Sequence, residues 1–181
     1  MKKNLFFSLV LFILILTCPI SAIGATATKE WKTYSDTRMI FAYPDTYVVE
    51  YSQEEAHEQI SCEIISDDII ASFAIGFTHI PEINKISAEE IKTIIENTID
   101  VTANAAFSYY SSSKLYELEQ TSKIGLNGYS KDYKAEIDGW DIKGEIFVAH
   151  SGEYIVLLMT TAESEKELND INTIINTIRF K

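Results

Sequence analysis

The chain carries two kinds of apolar pattern, and each predicts a different element. Trp31–Tyr34 and Met39–Tyr43 flank the polar break Ser35-Asp36-Thr37 and predict two short strands. Pro44-Asp45-Thr46 reads as a turn, because proline fixes φ and aspartate bonds its own backbone, and Tyr47–Tyr51 resumes as strand. A polar, acidic stretch follows at Gln53–Glu58. Beyond it Ile60, Cys62 and Ile64 alternate with Ser61 and Glu63, so Cys62 is expected on the apolar face of a half-buried strand. Ile69–Phe77 and Tyr154–Met159 are apolar at nearly every position. Strands so short and so apolar are covered on both faces, which predicts a sheet with a layer on each side.

Elsewhere the apolar spacing lengthens to three and four. Ser87-Ala88-Glu89-Glu90 is a capping box, followed by Ile91, Ile94, Ile95, Thr98 and Thr102 along one stripe. Phe107, Tyr109 and Tyr110 read as packing at the end of this first helix, before Ser111-Ser112-Ser113. A second box, Ser164-Glu165-Lys166-Glu167, leads into Leu168, Ile171, Ile175 and Ile178. Between the helices the period returns to two: Tyr129, Tyr133, Ala135 and Ile137 alternate with polar residues, and Ile142–Ala149 forms the next strand.

Asp138-Gly139 between them is a hairpin signal. A two-residue turn there sets Glu136 against Asp141, Lys134 against Lys143 and Asp132 against Glu145, all like-charged. A four-residue loop, Asp138–Asp141, instead pairs Glu136 with Lys143 and Lys134 with Glu145. Cross-strand pairs are worth about 0.2–1 kcal/mol each, so the longer loop is expected, with Trp140 at its tip.

Three segments together resemble the PsbP-like family. Phe41-Ala42-Tyr43-Pro44-Asp45-Thr46-Tyr47 is similar to that family's opening strand and Pro-x-x-aromatic step, with Tyr47 where Trp is common. Leu126-Asn127-Gly128-Tyr129 resembles the Asn-Gly-aromatic step before its central hairpin. Ile174-Ile175-Asn176-Thr177-Ile178-Arg179-Phe180 resembles its closing helix and terminal Thr-apolar-x-Phe. The order of elements agrees over most of residues 30–180, while Gln53–Asp68 has no counterpart. The resemblance implies an α+β chain folded as a single-domain α/β/α sandwich, with a mostly antiparallel central sheet and helices packed on both faces. It also implies an accessory or docking subunit rather than an enzyme, of a kind that occurs among secreted bacterial proteins.

Charge and the N-terminal segment add a compartment. Lys2 and Lys3 precede an apolar run, Leu5–Leu16, broken only by Ser8; Pro19 and the small residues Ala25-Thr26-Ala27 follow. This is the pattern of a secretory signal peptide over residues 1–27, and the run is shorter than the about 20 residues of a membrane span. Thr17 before Cys18 and Pro19 after it do not fit a lipobox. Cleavage after Ala27 is expected, with an uncleaved anchor as the alternative, leaving residues 28–181 as one secreted or periplasmic domain. The whole chain carries a net charge of −12, and without Lys2 and Lys3 the remainder carries −14. Such a field repels phosphate backbones and anionic lipid, which excludes nucleic acid as a partner. Cys62 is then the single cysteine left, so no intramolecular disulfide can form.

Candidate chemistry is sparse, and no cofactor motif is present. Trp140, flanked by Asp138 and Asp141, is the sharpest feature: an exposed tryptophan on a hairpin is the anchor that partner surfaces use. Alternatively its ring folds back over Tyr133 or Tyr129 and caps the core. Glu54, Glu55, His57 and Glu58 offer oxygens and one imidazole to a divalent cation, but their spacing fits no ordered metal loop, and a solvated acidic loop is the plainer reading. His57, His79 and His150 have no serine elbow or cysteine partner in the sequence. Cys62 reads as a buried, inert thiol. The expected role is a secreted, non-enzymatic domain that binds another envelope or secreted protein. The alternative is an extracytoplasmic protein that binds a small ligand or a divalent cation.

Overall fold

Strands make up most of the structure, a computed structural model that describes residues 30–54, 57–64, 69–137 and 139–181. The expected signal peptide at 1–27 therefore lies outside the described residues. In chain order the elements are β1 (Trp31–Ser35), β2 (Met39–Pro44), β3 (Tyr47–Glu54), β4 (His57–Ile64) and β5 (Ala71–His79). Next come α1 (Ala88–Phe107), β6 (Ser112–Leu115), β7 (Glu119–Lys123), β8 (Leu126–Ile137), β9 (Trp140–Ser151) and β10 (Tyr154–Ala162). The last two are α2 (Glu165–Ile175) and β11 (Arg179–Phe180). Eight strands form one antiparallel sheet, β3-β4-β5-β10-β9-β8-β6 with β7 also paired to β8, and β1-β2-β11 form a second sheet of three strands.

β5 and β10 lie side by side in the middle of the large sheet, which is why both read as apolar throughout. Alternate residues feed two separate cores. Phe73, Ile75, Phe147, Val156 and Leu158 belong to one; Ala74, Ile146, Val148, Ile155 and Leu157 belong to the other. On the second face α1 lays Ile95, Ile99, Ala103 and Ala106 against the sheet, chiefly along β8 and β9. On the first, α2 buries Ile171, Ile174 and Ile175 beside β5, β10 and β2. Phe41 of β2 meets Phe73 edge-on at 5.7 Å.

The expected α+β class, an α/β/α sandwich with helices as both outer layers, is overturned. Among the described residues the chain is mostly β, with two α-helices beside an eight-stranded and a three-stranded sheet. The layer over Phe73 and Phe147 combines the small sheet with the 11 residues of α2. Helix α2 also stops at Ile175, so the tail read as a closing helix turns instead into β11, where Arg179 and Phe180 pair with Ile40 and Met39.

Both helices begin at the serines expected to cap them, and the first forms the complete capping box, whereas the second has the serine half alone. Ser87 Oγ accepts from the Glu90 amide at 3.2 Å, and the Glu90 carboxylate accepts from the Ser87 amide at 2.9 Å. Ser164 Oγ accepts from the amides of Lys166 and Glu167 at the start of α2. A cap of this kind contributes about 1 kcal/mol.

The register of the β8–β9 hairpin also differs from the expectation. Ile137 pairs with Trp140 across a two-residue turn, so Glu136 does oppose Asp141, Lys134 opposes Lys143 and Asp132 opposes Glu145. Gly139 makes the tight turn possible with φ +83°, a region open to a residue without Cβ. The same register places Tyr133 opposite Gly144. Across that gap the Tyr133 hydroxyl donates to the Thr160 carbonyl of β10 at 2.8 Å and lies 2.6 Å from Thr161 Oγ1. The shifted register would set Tyr133 against Ile146 and lose this reach. Partners outside the hairpin offset part of the repulsion: Lys123 binds Glu145 at 2.6 Å, and Glu165 binds Lys143 at 2.5 Å.

Candidate functional site

Trp140 opens β9, immediately after the turn, and stands 38% exposed. The rings onto which it was alternatively expected to fold have other neighbours. Tyr133 is fully buried, 5.5 Å from the Phe107 ring and tied to Thr160; Tyr129 lies 5.9 Å beneath the Lys92 ammonium. Asp141 next to Trp140 is exposed, while Asp138 lies outside the described residues. The segment leaving α1 reaches the same end of the sheet, because the Ser111 amide donates to the Glu136 carbonyl at 2.9 Å. Two residues before it, Tyr109 is 57% exposed. Chemically this end offers apolar ring surface, an indole N–H and a carboxylate, held by paired strands. Such groups can make apolar and hydrogen-bonded contact with another surface.

His57 and Glu58, the described side chains among the four candidate ligands of the acidic stretch, do not converge. His57 and Glu58 are successive residues of β4 and point to opposite faces of the sheet. His57 is buried with Nδ1 3.2 Å from Thr78 Oγ1, and burial holds its imidazole below the usual histidine range. Glu58 accepts from Arg38 Nη2 at 2.6 Å. Glu54 ends β3, paired with His57 along the backbone, and Glu55 lies outside the described residues. Among the described residues no three His, Cys, Asp or Glu side chains are grouped to hold a metal ion.

The other singled-out groups sit in ordinary surroundings. Cys62 is completely buried, and burial, with Glu63 adding to it, pushes its thiol up to about 12. His79, partly buried, lies 3.2 Å from the exposed Glu153, and the His150 ring contacts the Gly152 carbonyl at 2.7 Å. The Phe107 and Tyr110 rings meet at 5.7 Å in a tilted arrangement at the end of α1.

Sequence reading missed the junction around Arg38. Its guanidinium lies 5.1 Å from the Phe77 ring centroid and 4.7 Å from that of Tyr154, while ion-paired to Glu58. Arg38 follows a short polar break between β1 and β2, and no local pattern connects it to residues 20 to 116 positions away. The junction joins the two sheets and is structural in character.

A large antiparallel sheet with one long helix on one face, and a short helix with a three-stranded sheet on the other, is the PsbP-like fold. The solution structure of cyanobacterial PsbP, CyanoP, from Synechocystis sp. PCC 6803 overlays with a TM-score of 0.58 at 14% identity, covering 91% of this chain and all (100%) of that one. The Saccharomyces cerevisiae Ran-binding protein Mog1p overlays at 0.46 with 7% identity, covering 84% of this chain and 96% of that one. LpqN of Mycobacterium tuberculosis, involved in cell envelope biogenesis, overlays at 0.44 with 10% identity, covering 84% and 91%. No protein-family model matches the chain, and no curated protein does.

Proposed function

We propose that this chain is a secreted, extracytoplasmic accessory domain without enzymatic activity, which docks onto another envelope or secreted protein through the β8–β9 hairpin end. The observation that carries the reading is Trp140, presented to solvent beside Asp141 at the end of two paired twelve-residue strands. A tryptophan held in that way loses little conformational freedom on binding, which is what makes such residues binding hot spots. The signal-peptide pattern of residues 1–27 supports the compartment. The fold shared with cyanobacterial PsbP supports an accessory rather than a catalytic role. The divergence of His57 and Glu58 gives the divalent-cation alternative no support.

The test is affinity capture with the tagged chain from Thr28 onward, against native envelope and secreted fractions, with and without EDTA. A specific protein retained under both conditions is expected. Trp140→Ala should weaken its binding by about 2 kcal/mol, roughly 30-fold, the size of a typical hot spot. Undiminished capture by Trp140→Ala would remove the hairpin end from the interface. Retention abolished by EDTA would count against the reading as a whole.

A further inference from the structure

Three lysines stand side by side across neighbouring strands on the sheet face that carries α2. Lys114 of β6 is opposite Lys134 of β8, and Lys134 is opposite Lys143 of β9. Directly opposed residues have Cα atoms about 4.5–5.5 Å apart, and like charges so placed destabilise a sheet. A chain with only 15 basic residues against 27 acidic ones has gathered three of them into one row. Two of the three have partners: Lys143 is bound by Glu165, whose side chain is 77% exposed, and the Lys114 ammonium lies 4.6 Å from the centre of the Tyr116 ring. Lys134 is exposed and makes no ion pair among the described residues.

Lys134 and Lys143 of this row line a groove of about 340 Å³, together with Tyr116, Asn172 and the carboxylates Asp132, Glu145 and Glu165. The volume is in the range of small-molecule sites. The neighbouring rung of the hairpin is acidic but muted. Glu145 is bound by Lys123 at 2.6 Å, and burial, followed by Glu145 and Glu119, holds the Asp132 carboxyl above its usual range. That rung lies about 7 Å along the strands, so an extended polyanion would run into it.

We propose that this groove binds a small ligand through a single carboxylate or phosphate group, held by Lys134 and Lys143. The site lies on the face of the hairpin opposite Trp140 and does not depend on the docking reading.

The measurement is a two-dimensional amide spectrum of the purified protein, titrated with inorganic phosphate and separately with acetate, at ionic strength held constant with chloride. Saturable shifts confined to residues near Lys114, Lys134 and Lys143 are expected, with a Kd in the millimolar range for a lone anion, roughly 1–10 mM. Lys134→Gln should weaken binding roughly tenfold or more. Lys134→Arg, which keeps the charge, should retain it, and Lys85→Gln, distant and exposed, should leave it unchanged. The undisturbed remainder of each spectrum reports that the variants fold. Saturation by phosphate alone or by acetate alone would support the site and tell which group it takes. Shifts that fail to saturate with either anion, or that persist in Lys134→Gln, would overturn it. Loss of partner capture in Trp140→Ala leaves these shifts unaltered, so the two proposals stand or fall separately.

Discussion

A Cβ added at Gly144 would stand 1.8 Å from the Thr160 carbonyl oxygen and 2.7 Å from the Tyr133 hydroxyl. Neither neighbour gives way readily: the first is backbone of the central strand β10, and the second is pinned by two hydrogen-bond contacts. Gly144→Ala is therefore expected to lose about 1–3 kcal/mol of stability in urea unfolding, the usual cost of overpacking. Tyr133→Phe, which keeps the ring and removes the hydroxyl, should lose about 0.5–1.5 kcal/mol. A Gly144→Ala protein as stable as the parent would remove this account of the register. The three like-charged pairs misled the sequence reading because charge pairing compares two strands at a time, whereas Tyr133 reaches over Gly144 to a third. A usable signal was nonetheless present. Glycine inside a strand marks a close approach, and the short turn is the register that brings Tyr133 to it. The same rejected pairing of Lys134 with Lys143 was the trace of the lysine pair in the groove.

Among the elements, the helix starts were legible and the second layer was not. A capping box is complete within four residues, so Ser87 and Glu90 announce their helix without help from the rest of the chain. The small sheet depends on β2 pairing with β1 on one side and with β11, at the far end of the sequence, on the other. Local periodicity announces amphipathic helices as covering layers, and it has no comparable sign for a sheet assembled from distant strands. What seats that sheet is the loop before β2. Asp36 accepts from the amides of Arg38 and Met39 at 2.7 and 2.8 Å and from the Tyr34 hydroxyl at 3.0 Å. Burial pushes the Asp36 carboxyl up, but those bonds outweigh it and hold the group below its usual range. Its contribution is thus present at neutral pH and is lost as the pH falls through that lowered value. Arg38 then crosses to Glu58 between the rings of Phe77 and Tyr154. Arg38→Ala should cost about 1–2 kcal/mol, from one partly exposed ion pair and two ring contacts. Arg38→Lys should recover only part of this, because an ammonium has no planar face to stack. Urea unfolding of both variants checks this, and an Arg38→Ala midpoint equal to the parent's would dismiss the junction.

Charge and topology belong to the molecule as a whole. With 27 acidic and 15 basic residues, the folded chain repels itself more strongly than its extended form does. Added salt should therefore stabilise it: between about 10 and 150 mM the screening length falls from about 30 to 8 Å. A gain of about 1 kcal/mol would raise Tm by about 2–4 °C in a chain of this size. A Tm that falls over that range would mean that attractive ion pairs, such as Arg38–Glu58, outweigh the repulsion. The topology carries a consequence of its own. β2 is among the first strands to be synthesised, yet its partner β11 is the last, and Thr177 Oγ1 meets the Ala42 backbone across 135 positions of sequence. Until α2 and β11 have been synthesised, Met39 and Phe41 lack the strand and the helix that cover them. Completion of the fold therefore waits on the far end of the sequence, and a chain cut before β11 would leave Met39 and Phe41 without their cover.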